Sequence, residues 1–134
     1  MALAEERAMD CFFGTYQLGP DDSDRLETLV TFNIPDLGIR FKAPFSGVDD
    51  NHCSFASLLS LLEFIDGNQN YLANKTYQIF GNDKTTIDQV NESSLAPDEF
   101  APLMDKARNY RKKYRFSLAW IPTWENAAYD SLSD

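Results

Sequence analysis

Hydrophobic positions recur along this chain with two periods, and the switches between them outline the fold. Cys11-Phe-Phe-Gly-Thr-Tyr-Gln-Leu18 is β-rich and stops at the turn cluster Gly19-Pro20-Asp21-Asp22. Glu27-Thr-Leu-Val-Thr-Phe-Asn-Ile34 reads as a second strand closed by Pro35-Asp36-Leu37-Gly38. Ile39-Arg-Phe-Lys-Ala-Pro44 alternates apolar and polar residues, as a half-buried third strand does. From Ser54 to about Ile65 the period lengthens: Phe55, Leu58, Leu59, Leu62 and Ile65 fall at helical spacing with Leu61 beside them. This helix is apolar over more than half its surface and is expected to be largely buried. Thr76–Phe80 is a fourth strand, and Asp83 to about Asn91 a short helix with Ile87 and Val90 inward. Ser93-Ser-Leu-Ala-Pro-Asp-Glu99 opens another helix, with Pro97 in its first turn and acids near its positive end. It runs to about Lys113 with Phe100, Leu103, Met104 and Ala107 on one face. A fifth strand from Phe116 stops at Pro122, and a short helix carrying Asn126 and Asp130 follows.

The string β-β-β-α-β-α-α-β-α predicts an α/β fold. Short connections make the first three strands an antiparallel meander, and helical crossovers bring in the other two. The expected result is a five-stranded mixed sheet with helices on both faces. No repeat and no linker divides the chain, so residues 1–134 read as one domain with its core at about 9–132. The end just after a short final helix leaves open a domain cut from a longer protein.

Composition narrows the class. With 134 residues and 43% hydrophobic residues, a real core forms without staples. Two cysteines, Cys11 and Cys53, have neither a zinc-ligand nor a disulfide-framework spacing and point to a reducing, intracellular compartment, cytoplasmic or nuclear. Charges in the first ten residues argue against a signal peptide, so the sequons at Asn74 and Asn91 carry no weight. No apolar run approaches a membrane span. A net charge of −9 argues against a general nucleic-acid binder.

Three stretches resemble the ribonuclease H family, in the correct order and on the correct elements. Asn51-His-Cys-Ser-Phe-Ala-Ser-Leu-Leu-Ser-Leu-Leu-Glu63 is similar to the family's Asn-Asn-x-Ala-Glu-Tyr helix start. Phe80-Gly-Asn-Asp-Lys-Thr-Thr-Ile-Asp-Gln-Val-Asn91 is similar to its Gly-Asp-Ser-x-x-Val-x-x-Gln-Val. The run from Phe116 to Leu132, with Trp-Ile-Pro ahead of Asn126-Ala-Ala-Tyr-Asp130, resembles its closing segment. The resemblance implies a two-metal nuclease site of four carboxylates. Two divalent ions about 3.5–4 Å apart need several converging anionic oxygens. At the corresponding positions stand Phe13, Ser54, Asn82 and Asp130, so one acid of four remains. Asp83 next to Asn82, and Asp10 three residues before Phe13, are expected to face away by strand alternation. No cofactor is expected.

The remaining candidates concern binding. Lys106, Arg108, Arg111, Lys112, Lys113 and Arg115 hold six of the twelve basic residues, and they read either as a solvated helix face or as a patch for phosphate or an acidic partner. Trp124 and Tyr129 flank the altered site. Tyr129 together with Phe13 is expected to fill the old metal cleft, unless both Trp124 and Tyr129 merely pack the last segment. His52, the only histidine, reads as a loop or capping residue. Together these imply a catalytically inactive ribonuclease H-like domain acting as a protein-interaction scaffold in a nucleic-acid-related complex. The alternative is a pseudo-nuclease binding RNA or DNA through residues 106–115, and the least favoured reading is an active metal-dependent nuclease.

Overall fold

The computed structural model describes residues 8–20, 26–72, 75–91 and 98–129. Five strands form one sheet: β1 (Met9–Pro20), β2 (Leu26–Ile34), β3 (Ile39–Gly47), β4 (Tyr77–Gly81) and β5 (Phe116–Trp120), in the order β3-β2-β1-β4-β5. The first three are the expected antiparallel meander. β4 runs parallel to β1, and β5 parallel to β4. The hairpin between β2 and β3 is a 3₁₀ turn at Pro35–Leu37 closed by Gly38, whose φ of 65° suits a residue without a Cβ.

The helices are α1 (Asp50–Gly67), α2 (Gln69–Leu72), α3 (Lys84–Val90) and α4 (Ala101–Lys113). α1 begins four residues before the apolar period does, because Asp49 caps it: its carboxylate accepts the His52 N–H at 2.9 Å. α4 begins at Ala101 rather than Ser93, after a 3₁₀ turn at Asp98–Phe100. The proline in its first turn is Pro102, and Pro97 lies outside the described residues. Pro102 lacks the N–H a longer helix would need there, so it fixes the start.

α1, α3 and α4 pack on one another over a single face of the sheet. The opposite face, expected to carry a helix, receives 3₁₀ turns from the C-terminal segment among the described residues. Residues two apart on β1, Met9, Cys11 and Phe13, enter the core beneath α1 with Phe55, Leu58, Leu62 and Ile65. No helix among the described residues is long and apolar enough to cross a membrane.

Phe13 reaches its buried place because β4 offers no side chain there. A Cβ at Gly81 would lie 2.5 Å from Phe13 Cε1 and Cζ. Gly81→Ala is therefore expected to destabilise the fold by about 1–3 kcal/mol through overpacking. Chemical denaturation checks this, and an unchanged midpoint would show that the ring can move aside.

Candidate functional site

β1 and β4 part company in the middle of the sheet. Their pairing stops at Phe12↔Phe80, while β1 continues against β2 alone. β1 is antiparallel to one neighbour and parallel to the other, so this fork is the switch point where an open α/β sheet offers a crevice beyond its strand ends. Side chains close it. Gly14 N–H, which has lost β4 as a partner, donates to Ser57 Oγ at 3.1 Å. That hydroxyl lies within 2.8 Å of Gly14 O and 2.9 Å of Thr31 O, so α1 stitches β1 to β2 from one face.

From the other face comes Asn126. Its Nδ2 donates to Phe13 O at 2.8 Å and to Asn82 Oδ1 at 2.7 Å, and its Oδ1 accepts Ala128 N–H at 2.9 Å. Thr31 Oγ1 and Asn33 Nδ2 donate to the carbonyls of Ala128 and Ala127 at 3.1 and 2.9 Å, pinning the segment to β2. The predicted short helix is thereby corrected at Asn126, and its part from Asp130 on lies outside the described residues. Asn126 has extended backbone between a 3₁₀ turn at Thr123–Glu125 and one over residues 127–129. Its side chain takes the bonds that a helix would have made with backbone. Asp130 lies outside the described residues.

The expected site positions divide into two groups. Asn82 turns toward Asn126: its Nδ2 donates to Thr123 Oγ1 at 3.0 Å, and Tyr129 OH lies 3.2 Å from its Oδ1. Ser54, buried at the start of α1, hydrogen-bonds Asp83 instead. Asp83 does turn to the opposite side from Asn82, as expected, but this brings it beside Ser54, where it caps α3 by accepting Thr86 N–H at 3.2 Å. Asp10 does face outward, exposed. Phe13 and Tyr129 do not meet as a joint plug. Phe13 lies in the core on the α1 side, whereas Tyr129 packs over Gly14 on the other face and donates to Thr15 O at 2.9 Å.

Asp83 is the carboxylate that hydrogen-bonds Ser54 among the described residues. Asp49, Asp50, Asn51 and Thr85 share with it a recess of about 390 Å³. Burial holds its carboxyl above the ordinary 3.8, against hydrogen bonds from Thr86, Thr85 and Ser54 that pull it back, and the charge of Asp50 adds to the rise. A raised folded value means that the folded state binds the proton more tightly than the unfolded chain. That contribution to stability is complete below the unfolded value and is lost as pH rises through the folded one. Asp83→Asn keeps a capping side chain without the buried charge. Relative to the parent it is expected to gain stability between about pH 4 and neutrality, with the difference shrinking in acid. Urea midpoints across that range check the sign, and a difference that grows in acid contradicts it.

The basic stretch does not form one free face. Lys106 and Lys113 pair with Glu63 and Asp66 at 2.6 and 2.8 Å, tying α4 to α1. Arg108 donates to Gln89 O at 2.8 Å and Arg111 to Val90 O at 3.5 Å, at the negative end of α3, and Arg111 also lies over the Phe116 ring. Lys112 and Arg115 are exposed. Trp124 is 85% exposed and Trp120, whose Nε1 donates to Asn82 O at 3.1 Å, is 50% exposed. His52 has a structural place: Nδ1 accepts Val48 N–H at 3.0 Å and the ring stacks on Phe100. Both cysteines are free and buried, and burial pushes the Cys11 thiol up to about 12. Sequence reasoning missed Ser57, whose only signal is a hydroxyl set among the leucines of an otherwise apolar helix.

The class that this sheet defines is the ribonuclease H-like fold. It matches LC11-RNase H1 from compost, solved with an RNA/DNA hybrid, with a TM-score of 0.72 at 13% identity over 92% of each chain. RNase H1 from the halophilic archaeon Halobacterium salinarum gives 0.70 at 13% identity, covering 96% of this chain and 99% of that one. The N-terminal RNase H domain of a Mycobacterium tuberculosis protein gives 0.65 at 12% identity, covering 94% and 95%. No protein-family model matches the chain, and no curated protein matches it.

Proposed function

We propose that this chain is a ribonuclease H-like module that has exchanged metal-dependent hydrolysis for binding, serving as a protein-interaction scaffold in a nucleic-acid-related complex. The observation that carries this reading is the closure of the fork by Asn126. Two divalent ions need several carboxylates converging on one point. The described donors at the fork are two amides, hydroxyls, a phenol and the carboxylate of Asp83, each already hydrogen-bonded. Among the described residues, no three His, Cys, Asp or Glu side chains are grouped to hold a metal ion. This donor set does not fit a pair of Mg²⁺ ions.

Trp124 and Trp120 beside the closed fork support a contact surface, since large exposed aromatics are the residues that anchor protein interfaces. The nucleic-acid context rests on fold analogy and on the hybrid bound by LC11-RNase H1. Capture of partners with the parent chain and with Trp124→Ala tests the scaffold. Retention that the substitution leaves unchanged would remove Trp124 from the surface.

A second reading, RNA or DNA binding through residues 106–115, now rests mainly on Lys112 and Arg115. Titration of hybrid and single-stranded probes at two salt concentrations separates the two. Salt-steep binding weakened by Lys112→Glu and Arg115→Glu together favours the second, and no binding at micromolar protein excludes it.

A further inference from the structure

The face of the sheet opposite α1 carries a charge pattern that the fork does not explain. Phe12 stacks on Phe80 there, with ring centroids 5.3 Å apart. Two residues back along the strands, the register sets Asp10 beside Gln78 and Gln78 beside Ser117, all exposed. A recess of about 460 Å³ containing Arg111, Arg115, Gln78 and Ser117 adjoins one of about 340 Å³ containing Asp10, Asp36 and Gln78. They share Gln78 and Ala8, so one groove crosses the strands with cations at its β5 end and acids at its other end.

Register shows how evenly the charges are placed. Phe116 pairs with Tyr77, and Tyr77 with Met9, so Arg115 stands one residue below the row of Met9. Asp36 lies in the 3₁₀ turn that follows β2 and lines one recess with Ala8, while Arg115 precedes β5 and lines the other recess with the same Ala8. Arg115 and Asp36 thus both stand at the level of Ala8, on opposite sides of it. The strands they flank, β5 and β2, lie equally far from the line between β1 and β4, about 7 Å on each side at the usual strand spacing. Phe12 and Phe80 straddle that line.

We infer that this face binds a second copy of the same chain about a two-fold axis running along the strands between β1 and β4. A two-fold interface must be complementary to itself. Here the rotation brings Arg115 over the partner's Asp36, twice per dimer, sets Gln78 over the partner's Asp10, and lays the Phe12–Phe80 stack on its own image. Charge complementarity selects a second copy over an unrelated occupant: the chain has a net charge of −9, yet its arginine and its acids sit at mirrored places. Parallel strands are ordinarily covered on both faces, and the described helices cover only one. The C-terminal turns occupy the far end of this face over Gly14, Thr31 and Asn33, so the contact is confined to the rows near Phe12 and below. Such a small patch makes a weak dimer. Dimerisation here is independent of whether the fork hydrolyses anything.

Sedimentation equilibrium at about 0.15 M salt is the test, since the repulsion between two acidic copies is then screened beyond about 8 Å while direct contacts persist. The expected result is a monomer–dimer equilibrium with a dissociation constant on the order of 10–100 µM, as befits an interface at the small end of the range. Arg115→Glu and Asp36→Arg, both at exposed positions, are each expected to weaken it about tenfold, because each reversal turns two attractions into repulsions. The double exchange is expected to restore it to within about threefold. A monomeric mass at every concentration, including the case where the chain's own ends cover this face, overturns the inference. So do single reversals without effect, or a double exchange no better than the singles.

Discussion

Phe13→Ala is expected to destabilise the fold by about 3–5 kcal/mol, and Phe13→Asp by more. The ring is 1% exposed and packs against the bare backbone of Gly81, so truncation opens a cavity beneath α1 that neighbouring strands cannot collapse to fill. A domain of this size has about 5–15 kcal/mol in total, so the alanine variant is left with a small margin. The aspartate variant is the sharper experiment. It returns an acid to the place where the ribonuclease H resemblance expects one, but Asp83, the acid at the Ser54 position, is already committed to capping α3. The new carboxylate enters the core unpaired. The variant is expected to be unfolded at neutral pH and to recover structure only in acid, where protonation removes the charge. Circular dichroism against pH reads this. A well-folded Phe13→Asp protein at neutral pH would show that the fork is more open and more polar than described.

Asn126→Ala is the second large effect, about 2–4 kcal/mol by urea unfolding. Asn126 is 3% exposed, and its removal leaves Phe13 O and Ala128 N–H buried without their partners, each an unmade bond of about 1–3 kcal/mol. Asn126→Asp separates donation from size. A carboxylate can still accept Ala128 N–H, but it faces the oxygens of Phe13 and Asn82 with no hydrogen to offer. Its folded pKa is therefore raised, and its deficit relative to the parent is expected to grow as pH rises through that value and to shrink in acid. A loss below about 0.5 kcal/mol for both variants would mean that the network does not close the fork.

Much of the fold was legible because strand and helix periods are local. The meander follows from apolar alternation and from turn residues such as Pro35 and Gly38, and α1 from its leucine spacing. The differences came at element ends. α4 starts at Ala101 with Pro102 in its first turn, while Pro97 lies outside the described residues. Asn126 is not helical, because its side chain spans to Phe13, Asn82 and Ala128. The resemblance offers Phe13, Ser54 and Asn82 as candidate site positions, but not their geometry. Asn126 reaches Phe13 across 113 positions of sequence and Asn82 across 44, and no periodicity encodes such pairs. The basic stretch shows the converse. Six clustered cations look like one patch in sequence, yet α4 points Lys106 and Lys113 at α1, and Arg108 and Arg111 at the end of α3.

Under the proposed function, the closed fork does not hydrolyse phosphodiesters. Incubation of the purified chain with an RNA/DNA hybrid in Mg²⁺ or Mn²⁺, beside Asp130→Asn and Asp83→Asn controls, tests this. The expected result is no cleavage above buffer for any of the three proteins. Cleavage by the parent chain that either substitution abolishes would contradict it and would make the carboxylates at the fork a working metal site.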